Sequence, residues 1–195
     1  MDLPCRMVVV VGCPSGGTSA TTGTLTKNGY YNRGNNGPYF ETPTVAPHTR
    51  SNGMFGPKTR ETTQDDIEEA AKFFLAYKQE AIDRGLDKAV VKMPWSPLWE
   101  PEIFGPNSLG VIVEPLLVYR DPRSHVKSMK KRFMGGKDPE SLSRRGQERI
   151  LELHRTLGWP IFVFGRASSH EDLERAIGHP LPVRYFNPLE VRFSE

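Results

Sequence analysis

The chain is poor in cysteine. Of its 195 residues only Cys5 and Cys13 carry thiols, and the extended stretch between them holds them further apart than a disulfide can span. They are expected as free thiols of a reducing compartment, which places the protein in the cytoplasm. No apolar run approaches the roughly 20 residues of a membrane-spanning helix, and no leader is expected ahead of the first strand-like stretch. Charge of one sign is also scarce: 26 basic against 23 acidic residues leave a formal +3. That balance suits a small anionic ligand and is too weak, without a concentrated patch, to argue for nucleic acid. No His/Cys cluster has metal-ligand spacing, and no metal is expected. There is no internal repeat and no low-complexity tract. An apolar content of 37% over this length is enough for one domain with its own core.

What is there begins at once. Residues 6–20 read Arg6-Met-Val-Val-Val-Val-Gly-Cys-Pro-Ser-Gly-Gly-Thr-Ser-Ala20. The unbroken run Val8 to Val11 has the pattern of a strand buried on both faces, as in a parallel sheet. Gly12 to Gly17, followed by Thr18 and Ser19, has the spacing of a phosphate-binding loop. Such a loop turns backbone N–H groups toward an anion, and the helix behind it adds a positive partial charge. The Thr18 and Ser19 hydroxyls supply further donors. A loop for a nucleoside triphosphate needs Lys after its second glycine to reach the β- and γ-phosphates; here the residue is Thr18. The loop therefore suits a short phosphate.

Along the rest of the chain, residues 18–28 can form a helix that stops at Asn28-Gly29. Residues 30–60 are a polar segment rich in Gly, Asn and Pro, long enough to be an active-site loop. Its aromatics, Tyr30, Tyr31, Tyr39, Phe40 and Phe55, argue that it is ordered. Thr62 and Thr63 open a helix with acidic residues in its first turn and an inward stripe of Ile67, Ala70, Ala71, Phe74, Leu75, Lys78, Ala81 and Ile82, ended by Gly85. Lys88 to Pro94 reads as a second strand. Within the apolar run Val111–Tyr119, Leu116 to Tyr119 is the clearest third strand, followed by a basic helix from Ser124. Residues 140–157 form a helix with Leu142, Ile150, Leu151, Leu153, His154 and Leu157 inward. Trp159 to Phe164 is a fourth strand, and Ser169 caps a helix through Ile177. The tail with Val183 is expected to dock on the surface. This alternation implies a three-layer α/β/α fold with a short parallel sheet and an N-terminal phosphate-binding loop, P-loop NTPase-like, in one domain over 1–195. Right-handed crossovers then bring all strand C-terminal ends to one edge, where Gly12, Lys92 and Arg120 converge.

Two motifs together resemble a family. Cys13-Pro-Ser-Gly-Gly-Thr-Ser19 is similar to the 5′-phosphosulfate loop of PAPS-dependent sulfotransferases, in which Pro is followed by Lys or Arg, then Ser, Gly, Thr and a hydroxyl residue. Tyr119-Arg-Asp-Pro-Arg-Ser-His-Val-Lys-Ser128 resembles their 3′-phosphate motif, a strand ending in Arg, Asp or Asn, and Pro, with a Ser at the Arg120-to-Ser128 spacing. Gly37-Pro-Tyr-Phe-Glu41 and Val91-Lys-Met-Pro94 are weaker matches to two further family segments. The matches extend from the first strand to residue 133. The resemblance implies sulfuryl transfer from PAPS (3′-phosphoadenosine 5′-phosphosulfate) to a hydroxyl or amine of a small-molecule or carbohydrate acceptor, releasing PAP (adenosine 3′,5′-bisphosphate). It implies that Pro14, Ser15, Gly16, Gly17, Thr18 and Ser19 hold the 5′ end and that Arg120 and Ser128 hold the 3′-phosphate. Chemically, the pairing of a short-phosphate loop with a second anion site fits a cofactor with two separate phosphates.

The chain departs from the family at Ser15, where the loop has a cation that steadies the leaving group. Lys92, from the next strand, is the candidate replacement, with Arg33 and Arg50 of the long segment behind it. Glu41 is the candidate general base for the acceptor proton, and His48 is its rival. His125 and His154 lie on expected helices and read as structural. Two other readings stand beside sulfuryl transfer: a nucleotide or sugar kinase with a degenerate loop, for which Asp121 offers a magnesium ligand, and a non-catalytic nucleotide-binding module.

Overall fold

The computed structural model describes residues 5–33, 61–94, 96–132, 138–165 and 169–183. The valine run forms β1 (Arg6–Gly12), buried from Met7 onward. It has parallel partners on both sides, β2 (Lys88–Pro94) and β3 (Glu114–Arg120), and β4 (Ile161–Phe164) adds outside β3 to give a four-stranded parallel sheet in the order β2-β1-β3-β4. Side-chain alternation sorts the sheet into two faces. Met7, Val9, Val11, Ala89, Val91, Met93 and Leu117 pack with Phe74, Tyr77, Ala81, Ile150 and Leu153, which come from α2 (Gln64–Asp83) and α5 (Pro139–Leu157). Val8, Val10, Val90, Leu116, Val118, Phe162 and Phe164 pack with Leu25, Leu173 and Ile177, from α1 (Thr18–Lys27) and α6 (His170–Ile177). The strand is continuously apolar because both of its faces meet helices. This is the three-layer α/β/α arrangement expected from the sequence. β2 and β3 lie on opposite sides of β1, so the strand order reverses at β1 and opens a crevice at its C-terminal end.

The helices start where local chemistry starts them. Thr63 and Asp66 form a reciprocal capping box for α2, and Ser169 and Asp172 form one for α6. Asp138 caps α5, with Pro139 in its first turn, and left-handed Gly158 ends it. In α1, Thr21, Thr24 and Thr26 return their hydroxyls to the carbonyls four residues back, at 3.1, 2.9 and 2.9 Å. Thr-rich sequence is a weak helix former, and burial of Thr21, Thr22, Thr24 and Leu25 holds this helix on the sheet. Between β2 and β3 lie a single helical turn, α3 (Ser96–Trp99), and a short 3₁₀ helix, Pro101–Phe104. The basic helix α4 (Pro122–Arg132) follows β3 directly.

Two inward stripes differ from the periodicity. On α5, His154 is exposed and Leu157 is 49% exposed, because the last turn overruns the sheet before Gly158. On α2, Tyr77 is fully buried while Leu75 is only partly so. The third strand begins at Glu114, and Ile112, inside the apolar run, is 65% exposed. Cys5 and Cys13 are free and buried at opposite ends of β1, and burial pushes both thiols up. No helix among the described residues is long and apolar enough to cross a membrane.

Beyond α1 the chain returns along the outer edge of β2. Tyr31 N–H donates to the Lys88 carbonyl and Val90 N–H donates to the Tyr31 carbonyl, both at 2.8 Å. The Tyr77 hydroxyl clamps this edge: it accepts from Arg33 N–H at 2.7 Å and donates to the Val90 carbonyl at 3.2 Å. Arg33 pairs with Glu80 and lies over the Tyr77 ring. Tyr77→Phe removes both bonds with little change of shape. It is expected to lower the unfolding free energy by about 1–2 kcal/mol, the scale for leaving buried backbone groups short of a partner. Urea unfolding should show a lower midpoint at unchanged slope; an unchanged midpoint would assign the edge no such clamp.

Candidate functional site

Gly12 ends β1, and residues 13–17 turn the chain into α1. Gly16 N–H closes the turn on the Cys13 carbonyl at 2.9 Å. Ser15 has φ 63 and is the only non-glycine with positive φ among the described residues. Gly17 has φ 102, and a Cβ there would lie 2.3 Å from the Phe164 ring. A Cβ on Gly16 would lie 2.6 Å from the Cys13 carbonyl oxygen. Glycine is thus imposed at position 17 by conformation and by crowding, and at 16 by crowding alone. Gly17 is also the N-cap of α1, where no side chain caps the first turn. The N–H groups of Thr18 and Ser19, in that first turn, have no intrahelical acceptor. Ser15 and Gly17 N–H make no backbone hydrogen bond among the described residues. Several donors therefore remain at the positive end of a helix, the arrangement that receives an anion.

The loop is held from behind. Arg120, at the end of β3 and 6% exposed, donates from Nη1 to the Ser15 carbonyl at 2.7 Å, with its guanidinium over the Phe164 ring at 5.4 Å. His125, in α4 and fully buried, sits 2.7 Å from the Pro14 carbonyl through Nε2. Its Nδ1 lies 2.8 Å from Ser143 Oγ and 3.1 Å from Gln147 Nε2, both from α5. Gln147 Oε1 accepts from Arg120 N–H at 3.2 Å. Burial pushes the His125 imidazole below its ordinary value near 6.5, and the Arg120 charge adds to this against the raising effect of the Pro14 bond.

Lys92 reaches the loop from the other side. The sheet register places it beside Val10, on the face that packs against α1. It is 5% exposed, and its Nζ donates to Ser19 Oγ at 3.0 Å. Gly12, Lys92 and Arg120 thus meet at one edge, as the strand order implied. Ser128 lies half-buried on α4 and makes no hydrogen bond with Arg120. Asp121 accepts from Ser124 N–H at 3.0 Å and caps α4. Arg33 is engaged by Glu80. Glu41, His48 and Arg50 lie outside the described residues. Among the described residues there is no group of three or more His, Cys, Asp or Glu that could hold a metal ion.

Ser143, Gln147 and Phe164 did not stand out in the sequence, and His125 stood out only as a structural residue. One signal was present. Ser143 and Gln147 are polar residues four apart on a face of α5 otherwise made of Leu142, Gly146, Ile150 and Leu153, so an inward polar pair required a partner.

The fold and loop define a P-loop-type α/β domain. No family model matches the chain, and no curated protein matches it in sequence. Among solved structures it is similar to an unliganded sugar kinase from Janibacter sp. HTCC2649, at 17% identity over 90% of this chain and 94% of that one, with a TM-score of 0.48. A Thermus thermophilus protein gives 16% identity over 89% and 95%, with a TM-score of 0.44. Deoxyadenosine kinase from M. mycoides, solved with bound dATP, gives 10% identity over 89% and 98%, with a TM-score of 0.43. At such identities and scores these likenesses say nothing of this chain's chemistry.

The crowding at Gly17 is testable without any ligand. Gly17→Ala forces a left-handed alanine against the Phe164 ring and should destabilise the protein by about 1–2 kcal/mol or more. Adding Phe164→Leu should give back part of the overlap cost and none of the backbone cost. Thermal unfolding of the single and double variants reads this; equal melting temperatures for Gly17→Ala and the unmutated protein would show that the loop does not pack as described.

Proposed function

We propose that the protein is a PAPS-dependent sulfotransferase acting on a hydroxyl or amine of a small-molecule or carbohydrate acceptor. The observation that carries the reading is the Lys92 ammonium on Ser19 Oγ. In a triphosphate loop the hydroxyl at this position holds magnesium, and the lysine precedes it in the loop itself. Here the position before Ser19 is Thr18, and a cation arrives from β2 at the hydroxyl that would otherwise meet a metal. The loop has the donors for a short phosphate and a fixed positive charge beside them.

Bound PAPS would supply the activated sulfuryl group. The chain's own groups then have separable tasks. The uncapped first turn of α1 and the loop N–H groups receive the 5′-phosphate. Lys92 compensates the negative charge that grows on that phosphate as the sulfur–oxygen bond breaks. Glu41, or His48 in its place, takes the acceptor proton. Arg120 and Ser128 answer to the 3′-phosphate, Arg120 while anchoring the loop.

The kinase alternative requires magnesium ligands, and the carboxylate offered for that task, Asp121, is used as a helix cap. Calorimetry separates the readings. Adenosine 3′,5′-bisphosphate should bind with EDTA present, and ATP with Mg²⁺ should bind more weakly; strict dependence on Mg²⁺ together with preference for ATP would overturn the proposal in favour of a kinase. Lys92→Met should lower turnover about 10²–10³-fold, the scale for losing one preorganised donor, with a much smaller change in bisphosphate affinity. Full turnover in that variant removes Lys92 from the reaction, and background turnover in the unmutated protein points to a binding module.

A further inference from the structure

We propose that His125 is a positioning residue of the phosphate loop: it passes the polarity of a hydrogen-bond chain that starts at the β3 backbone to the Pro14 carbonyl, and so fixes Ser15 N–H as an anion donor. The inference rests on the phosphate-binding reading of the loop and goes beyond it by naming what sets the loop's donors.

The polarity follows from the ends of the chain. Arg120 N–H can only donate, so the atom of Gln147 that faces it is the oxygen. The Gln147 NH₂ group is thereby turned to His125, where it meets Nδ1. Nδ1 must accept, and its one lone pair is shared between the Gln147 NH₂ group and the Ser143 hydroxyl at 2.8 Å. The imidazole proton is then on Nε2, which donates to the Pro14 carbonyl. In a trans peptide the carbonyl of Pro14 and the N–H of Ser15 point in opposite directions. Holding the first toward α4 turns the second away from it, to the side where no backbone acceptor meets it among the described residues. The next carbonyl, that of Ser15, is held by Arg120. Two successive peptides are therefore locked by neighbours that belong to one network.

The same chain makes the loop sensitive to pH. The imidazole meets the uncharged Ser143 and Gln147 from α5 and the Pro14 carbonyl from the loop, and Arg120 from β3 acts on it through its charge. Arg120 is the charged member, and it opposes a second positive charge. A proton on Nδ1 would also point against the Gln147 NH₂ group. The folded protein thus favours neutral His125. Its contribution to stability is complete above the unfolded-state value near 6.5 and is lost as pH falls through the lower folded value. Protonation leaves Nε2–H but turns Nδ1 into a donor facing the Gln147 NH₂ group, so the ring loses the partner that seats it against Pro14, and anion affinity should decline in the same window.

The test has two independent readouts on the full chain. Long-range ¹H–¹⁵N NMR of the histidine rings, without ligand, should show neutral His125 with its proton on Nε2 at pH 7; a proton on Nδ1, or a charged ring, overturns the proposal. Calorimetry with adenosine 3′,5′-bisphosphate and with pyrophosphate, from pH 5 to 8, reads the functional consequence. His125→Phe should weaken binding about tenfold at pH 7.5, the equivalent of one buried hydrogen bond. His125→Gln, which can still donate to Pro14 but does not titrate, should keep more of the affinity and lose the His125-dependent decline at low pH. The ligand's own phosphate ionisation near pH 6 is common to all variants and cancels in the difference. Binding that is equal in all three proteins, with identical pH profiles, overturns the role of His125 and leaves the loop reading standing. Absence of binding by the unmutated protein at every pH overturns both.

Discussion

The site depends on the direction of two carbonyls. Pro14 and Ser15 follow a strand buried on both faces, and the hydrogen bonds that hold their carbonyls come from His125 and Arg120. With those oxygens fixed, Ser15 N–H is turned away from α4 while Gly16 N–H closes on the Cys13 carbonyl, and an uncapped helix begins directly behind them. The loop does not order itself. Ser15 sits in a backbone region that disfavours side chains, and Gly17 is pressed against Phe164. Strain of this kind persists only where surrounding structure over-determines it, and here β3, β4, α4 and α5 all contribute.

The charges are arranged with the same economy of elements. Lys92 and Arg120 lie on strands that flank β1, and parallel pairing brings both to the edge where β1 ends. Each is almost fully buried and each donates to the loop or to the helix that follows it. A fixed cation beside a phosphate loses little to solvent reorganisation, which is what makes such a group effective as charge develops.

Much of this was legible in the sequence for identifiable reasons. The valine run could only be a doubly covered strand. Lys88–Pro94 was bounded by Gly85 and proline. The glycine spacing fixed the loop, and the strand alternation fixed the parallel sheet. The convergence of Lys92 and Arg120 follows from the parallel topology alone, without any side-chain distance. What could not be read depends on packing between elements remote in sequence. His125 meets Ser143 and Gln147 because α4 lies along α5, and Phe164 meets Gly17 because β4 pairs with β3. Tyr77 was missed because its value lies in a hydroxyl that serves the sheet edge, which an apolar stripe does not reveal. Leu157 was misplaced because periodicity continues to the end of a helix whether or not there is a sheet beneath it.

Assignment of the backbone amides by ¹H–¹⁵N NMR, followed by titration with adenosine 3′,5′-bisphosphate in EDTA, tests most directly whether this loop is the phosphate site. The expected result is a saturable set of large shifts at the amides of Ser15, Gly17, Thr18 and Ser19, with Gly16, already bonded to Cys13, moving less. Shifts that leave these four amides in place while the ligand binds elsewhere would contradict it.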